Sequence, residues 1–190
     1  MKSKKADKRD LILRATRDYI LKEGLENISM GQLSKVTGIA VGTIYYSFPS
    51  KEELLNQTYQ YCRDQFVPRK PHTLRSPLNV EKALKDIVAS YLKKGIEHPK
   101  DFLFVERYHL SSIVKEESRL DYEDIIEGLS LRELIEEGYI KNTNPLLLGG
   151  TLLGILHKSL LYVINGHLSM DANMIGMVQQ MCWDSIKTNN

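Results

Sequence analysis

Residues 38–54 read GIAVGTIYYSFPSKEEL, and the reading of this stretch decides the fold. Gly38 ends one helix, and Ile39 plugs the turn. A short helix is expected from Val41 to Tyr46, with Ile44 as its buried anchor, and Phe48-Pro49 breaks it. Ser50-Lys51-Glu52-Glu53 then has the form of a capping box before Leu54 and Leu55. So short a helix between two tight turns suits a helix-turn-helix, whose second helix lies in a groove of duplex DNA.

Upstream, Ile12, Ala15, Tyr19 and Ile20 follow the spacing of one helix face, and Gly24 closes that helix. Ser29-Met30-Gly31-Gln32 forms another capping box, after which Leu33 and Val36 are expected to face inward. Downstream, 67–78 (VPRKPHTLRSPL) holds three prolines and reads as a linker. Helical patterns follow from about 80 to 96, 101 to 117 and 121 to 138. Asn144-Pro145 opens a long helix to about Asn165, and Asp171 opens the last. No strand pattern competes. The expectation is an all-α chain of about nine helices. It comprises an N-terminal helix-turn-helix bundle over 1–50 and a larger helical part over 51–190.

The 190 residues are 42 % hydrophobic, which excludes a disordered chain. The net charge of +2 hides an asymmetry. Residues 1–70 carry 13 Lys and Arg against 8 Asp and Glu, and the remaining 120 carry 13 against 16. The front is therefore the half suited to a polyanion, with Lys2, Lys4, Lys5, Lys8 and Arg9 as a flexible basic arm. Two distant cysteines fit a reduced, cytoplasmic setting. The basic N-terminus lacks the apolar core of a secretory signal, and the uncharged run 142–156 stops short of a membrane span.

A recognition helix needs small or hydrogen-bonding residues at its front and phosphate donors around its rim. Val41, Gly42 and Thr43 supply the front. Tyr45 and Tyr46 offer hydroxyls to phosphate, and Lys51 offers a charge at the next helix start. Singly, each has an ordinary reading as core or solvated surface; the ordered combination carries the inference. Glu106-x-x-His109 has the spacing of a carboxylate metal motif, but no second copy exists. No metal, cofactor fingerprint or nucleophile–base pair is expected.

These residues resemble the TetR family of bacterial transcriptional repressors. ILRATRDYILKEG and SMGQLSKVTGIAVGTIYYSFPSKEELL, within 11–55, follow its signature, and LRELIEEGYI with LLLGGTLLGILHKSLL resembles its late helices. The resemblance implies a homodimer that binds a palindromic operator and is released by a small effector. It places Ser29, Gln32 and Lys51 near phosphate, and Val41, Gly42, Thr43, Tyr45, Tyr46 and Ser47 on the recognition helix. Ala40-Val41 stands where many members have Ser-Lys, so a cap and a cation are missing; Val41 is expected to read a thymine methyl instead. Ser47 stands where many have a ring.

The resemblance also implies a ligand cavity and a dimer face on the last two helices. Gly149, Gly150 and Gly154 would let helices approach, with Leu146, Leu153, Leu160 and Leu161 packing across. Trp183, Met174, Met177 and Met181 would fill the dimer seam. Tyr91, Phe102, Tyr108, His109, Tyr122, His157 and Tyr162 are the candidate pocket residues, with apolar walls and polar tips suited to a hydrophobic or aromatic effector. Each is also a reasonable core residue. The competing reading is a small-molecule-binding or enzymatic helical bundle with a purely structural N-terminal domain.

Overall fold

The computed structural model describes residues 4–66, 80–119 and 122–188. The expected linker and the Asp121 cap lie outside these residues. Among the described residues ten α-helices are formed: α1 Lys4–Glu23, α2 Met30–Thr37, α3 Val41–Ser47, α4 Lys51–Phe66, α5 Val80–Glu97, α6 Pro99–Tyr108, α7 Tyr122–Gly128, α8 Leu131–Glu136, α9 Pro145–Ile164 and α10 Ala172–Ile186. No β-strand occurs among the described residues, so the all-α expectation holds. The tenth helix arises because 121–138 is not continuous. Ser130 adopts φ 49°, a left-handed conformation that breaks helical hydrogen bonding between α7 and α8. α6 also ends at Tyr108 rather than near Glu117. Beyond it the chain turns on short i→i+3 bonds, Ser111 N to Tyr108 O at 2.9 Å and Val114 N to Ser111 O at 3.1 Å. The Ser111 hydroxyl accepts the Ile113 amide there, as serines do when they compete with a helix.

The chain forms two compact units, and they do not follow a single cut in the sequence. The first holds residues up to 65 together with 100–119; the second holds 66–99 and 120–190.

In the first unit, Ile12, Ile20, Leu33, Ile44, Phe48, Leu54 and Tyr59 are buried with Phe102 and Phe104 of α6. Val36, expected inward, is 59 % exposed. The inward positions of α2 are Met30 and Leu33, and Val36 lies off that stripe. α1 is tied to α6 by a buried ion pair, Arg17 Nη1 to Asp101 Oδ1 at 2.5 Å. Burial opposes the Arg17 cation, but its bonds to Asp101 and then Asp18 outweigh this and raise its pKa. Cys62 is buried beside this pair; burial first, and then the charge of Asp101, push its thiol pKa up.

The segment after α6 is fastened to α4. The Lys115 amide donates to Asn56 Oδ1 at 3.1 Å, Gln60 Nε2 to Ser118 Oγ at 2.6 Å, and Arg63 Nη1 to Ser118 O at 2.8 Å. Asn56 is buried, so its acceptor would be left unpaired without this segment.

In the second unit, α9 presents Leu148, Leu152, Leu156 and Leu160 inward against α5, α7, α8 and α10. The expected caps form: Leu146 N donates to Asn144 Oδ1 at 2.9 Å, and Met174 N to Asp171 Oδ1 at 2.8 Å. Gly95 lies where any Cβ would come within 2.5 Å of Leu160, so α5 and α9 cross closely there. Lys141 closes the C-terminal end of α10. Its amide donates to Ile186 O at 2.8 Å and its ammonium to Ser185 O at 2.9 Å, a cation on the negative end of the helix dipole. Burial pushes the Cys182 thiol up to about 12. By length and composition α9 would pass as a membrane span, yet its buried leucine stripe serves this core.

Candidate nucleic-acid interface

The helix-turn-helix is built by local chemistry. Ser29 caps α2: its Oγ accepts the Gln32 amide at 3.2 Å and donates to Gln32 Oε1 at 2.8 Å. The Gln32 side chain thus closes on the Ser29 hydroxyl, where the capping box would have it reach the Ser29 amide. Gly38 ends α2 at φ 69°, a conformation costly for any other residue, with its amide on Ser34 O at 2.9 Å. Thr37 Oγ1 accepts the Ile39 amide and fixes the turn.

α3 starts without a side-chain cap. Ala40 offers only its carbonyl, which accepts the Thr43 amide at 2.9 Å and the Ile44 amide at 3.2 Å. The helix is held from inside by Ile44 and Phe48, both 0 % exposed. What remains outward is Val41, Gly42, Thr43, Tyr45 and Tyr46, the last 76 % exposed. Ser47 is half-buried, and its hydroxyl returns to Thr43 O at 3.2 Å. A Cβ added at Gly42 would meet nothing within 4 Å, so internal packing does not require glycine there.

Ser50 caps α4, accepting the Glu53 amide at 3.1 Å. The carboxylate that meets the Ser50 hydroxyl is Glu52, not Glu53. Its own backbone amide and then the Ser50 hydroxyl hold Glu52 below the usual carboxylate range. Glu53 turns instead to Gln57 and then Lys115, which lower its pKa. Lys51 stands half-exposed in the first turn of α4.

The basic arm changes most. α1 begins at Lys4, so Lys8 and Arg9 are helical. Lys2 and the side chains of Lys4 and Lys5 lie outside the described residues. Arg9 turns inward: it donates to Ser47 O at 3.1 Å and to Gln57 Oε1, and lies 4.7 Å from the centre of the Phe48 ring. Gln57 had given no sign in the sequence, because a polar residue inside a helical pattern carries no signature of its partner.

The candidate pocket residues divide between the units. Phe102, Tyr108 and His109 belong to the first, where Phe102 is buried in the core and His109 Nδ1 lies 3.1 Å from Glu106 O. Tyr91, His157 and Tyr162 belong to the second. Tyr91 and His157 meet: Tyr91 Oη and His157 Nε2 are 2.9 Å apart, with the rings nearly parallel. Tyr162 lies on an exposed stripe of α9 with Leu147, Gly154 and Lys158, whose ammonium sits 5.0 Å from its ring. Helical period separates that stripe from His157. The Tyr122 side chain lies outside the described residues. Among the described residues, no group of three or more potential ligands is placed to hold a metal ion.

Residues 12–58 match the family model for bacterial regulatory proteins of the tetR family. An uncharacterized HTH-type transcriptional regulator of Haemophilus influenzae (strain ATCC 51907 / DSM 11121 / KW20 / Rd) is 42 % identical over 57 residues, 30 % of this chain and 30 % of that protein. The matched segment thus spans less than a third of that relative. Among solved structures, a TetR family transcription regulator from Marinobacter aquaeolei VT8 is similar over 98 % of this chain and 99 % of its own, with a TM-score of 0.81 and 21 % identity. A flavonoid-responsive regulator is similar over 97 % of this chain and 100 % of its own, with a TM-score of 0.68 and 20 % identity. At these identities the structural likeness is one of fold. Residues 12–58 thus match a domain of the tetR family, and the fold of the chain is like that of solved TetR family regulators.

Proposed function

We propose that this chain is a cytoplasmic, homodimeric transcriptional regulator that represses by binding a palindromic DNA operator and is released by a small hydrophobic or aromatic effector. The observation that carries the DNA reading is α3 itself. It buries Ile44, while Val41, Gly42, Thr43, Tyr45 and Tyr46 stand exposed. A soluble surface gains nothing from so apolar and aromatic a stripe unless a partner covers it. In this reading Val41, Gly42 and Thr43 meet base edges, and Tyr45, Tyr46 and Ser47 flank them. Ser29, Gln32 and Lys51 bind phosphate. The N-terminal residues read DNA and the rest dimerises and takes the effector. Effector binding favours one arrangement of the dimer and so changes the spacing of the two recognition helices, which must match major grooves about 34 Å apart.

Selection from a pool of random duplexes tests this. The wild-type chain is expected to enrich a palindrome and to bind it more weakly as salt rises. Val41→Ala should relax the preference at thymine positions, by about 1 kcal/mol for a lost methyl contact. Enrichment of no sequence, even at low salt, would sink the DNA reading; an unchanged thymine preference would sink only the role of Val41.

The dimer reading rests on α9 and α10. Although α9 is the most apolar helix, only 28 % of its apolar stretch is buried in the single chain. Leu147 is 65 % exposed beside Gly150 and Gly154, which have open space where a Cβ would stand. On α10, Met177 and Met181 are exposed beside Gly176. Small residues flanked by large apolar ones suit a close helix crossing with a second copy. Leu147→Glu with Met181→Glu should convert the chain to a monomer by sedimentation without loss of helix content. A mass unchanged from a wild-type dimer would place the interface elsewhere.

For the effector, the Tyr91–His157 pair supplies a polar point within the apolar second unit, and a fold relative is described as flavonoid-responsive. Both favour an aromatic, hydroxyl-bearing molecule.

A further inference from the structure

We infer that Arg9 is a positioning residue for the recognition helix and not a phosphate contact, an assignment that rests on the DNA-binding reading above. α3 has seven residues and no side-chain cap at its front, so its orientation depends on Ile44 and on whatever holds its C-terminal end. That end is where Arg9 binds. Its Nη1 donates to Ser47 O at 3.1 Å, one of the carbonyls a helix leaves without an internal partner. The guanidinium lies 4.7 Å from the centre of the Phe48 ring, and Phe48 is the residue that ends α3. Its Nη2 donates to Gln57 Oε1, Gln57 Nε2 donates to Glu53 Oε1, and Lys115 Nζ stands 3.2 Å from Glu53 Oε2.

A planar fork bound at three points fixes direction as well as distance, which a lysine ammonium does not. The arrangement joins α1, the end of α3, α4 and the segment after α6 within one unit. Val41, Gly42 and Thr43 lie at the other end of α3, roughly 6–9 Å away at 1.5 Å per residue. A small tilt at Ser47 is therefore magnified where bases would be read. Phosphate attraction tolerates such a tilt; base readout does not.

The test compares two duplexes across a salt series: one selected from a random pool by the wild-type chain, and a scrambled version of it. Arg9→Gln is expected to lose about tenfold or more on the selected duplex, the scale of a lost charged hydrogen bond, with binding to the scrambled duplex and the salt slope unchanged. Arg9→Lys keeps the charge and loses the fork, and is expected to lose selectivity equally while retaining the wild-type melting curve. Equal weakening on both duplexes with a slope reduced by about one unit would identify a phosphate contact and overturn the inference. Wild-type selectivity in a folded Arg9→Lys would overturn it as well. A wild-type chain that selects no sequence overturns the DNA-binding reading, and this inference with it.

Discussion

Asp101→Ala destabilises the first unit by about 3–5 kcal/mol, the cost of stranding a buried charge. Arg17 and Asp101 are both buried and lie 84 residues apart in sequence. Removing the carboxylate leaves the Arg17 guanidinium with Asp18, a half-exposed neighbour on its own helix. Removing both charges has a different outcome. Arg17→Met with Asp101→Leu is expected to be near neutral, because two apolar chains of similar size avoid the desolvation that the pair must overcome. Amide exchange of α1 and α6 reads this event directly. A single variant as stable as the double one would show that the pair is solvated and weak.

Gly42→Ala is expected to move stability and DNA binding in opposite directions. Glycine inside a helix costs roughly 0.5–1 kcal/mol relative to alanine, through the extra freedom it loses on folding. Nothing within 4 Å would meet the added methyl, so the gain is realised in full. In the proposed DNA complex the same methyl stands at the front of α3, which the proposal brings close to base edges. Losing that approach removes at least one direct contact, worth about 1–3 kcal/mol. The melting temperature should rise while affinity for the selected duplex falls by about tenfold. Rising stability with unchanged affinity would show that Gly42 faces solvent in the complex.

The segment 38–54 was legible because short-range chemistry determines it. Gly38, Ser50, Ile44 and Phe48 act on neighbours a few residues away, and each stands where its type predicts. Asn144 and Asp171 were legible for the same reason. The misreadings share the opposite cause. Arg9 looked like part of a solvated arm because its partners Ser47 and Gln57 are 38 and 48 residues distant. Val36 is as apolar as Leu33 but lies off the buried stripe. Ser130 breaks a helix through a backbone angle that serine does not advertise. Tyr162 and His157 share a helix and differ in face, and an inventory of aromatic residues does not separate them. On the outward face of α3, sequence and geometry agree on Val41, Gly42, Thr43, Tyr45 and Tyr46 but not on Ser47, and DNA binding itself will decide their roles.

The fastening of 100–119 onto the N-terminal helices has a consequence for exchanging parts between regulators. A chimera that joined residues up to 65 to a foreign C-terminal half would carry Arg17 without Asp101. It would also carry Asn56 without the Lys115 amide, and Arg63 without the Ser118 carbonyl. The transferable module is therefore discontinuous, and its second piece is encoded inside the half that a graft at residue 65 would discard. Recombination of this chain with a related one would meet the same constraint, favouring exchanges that keep α1 and α6 from one parent.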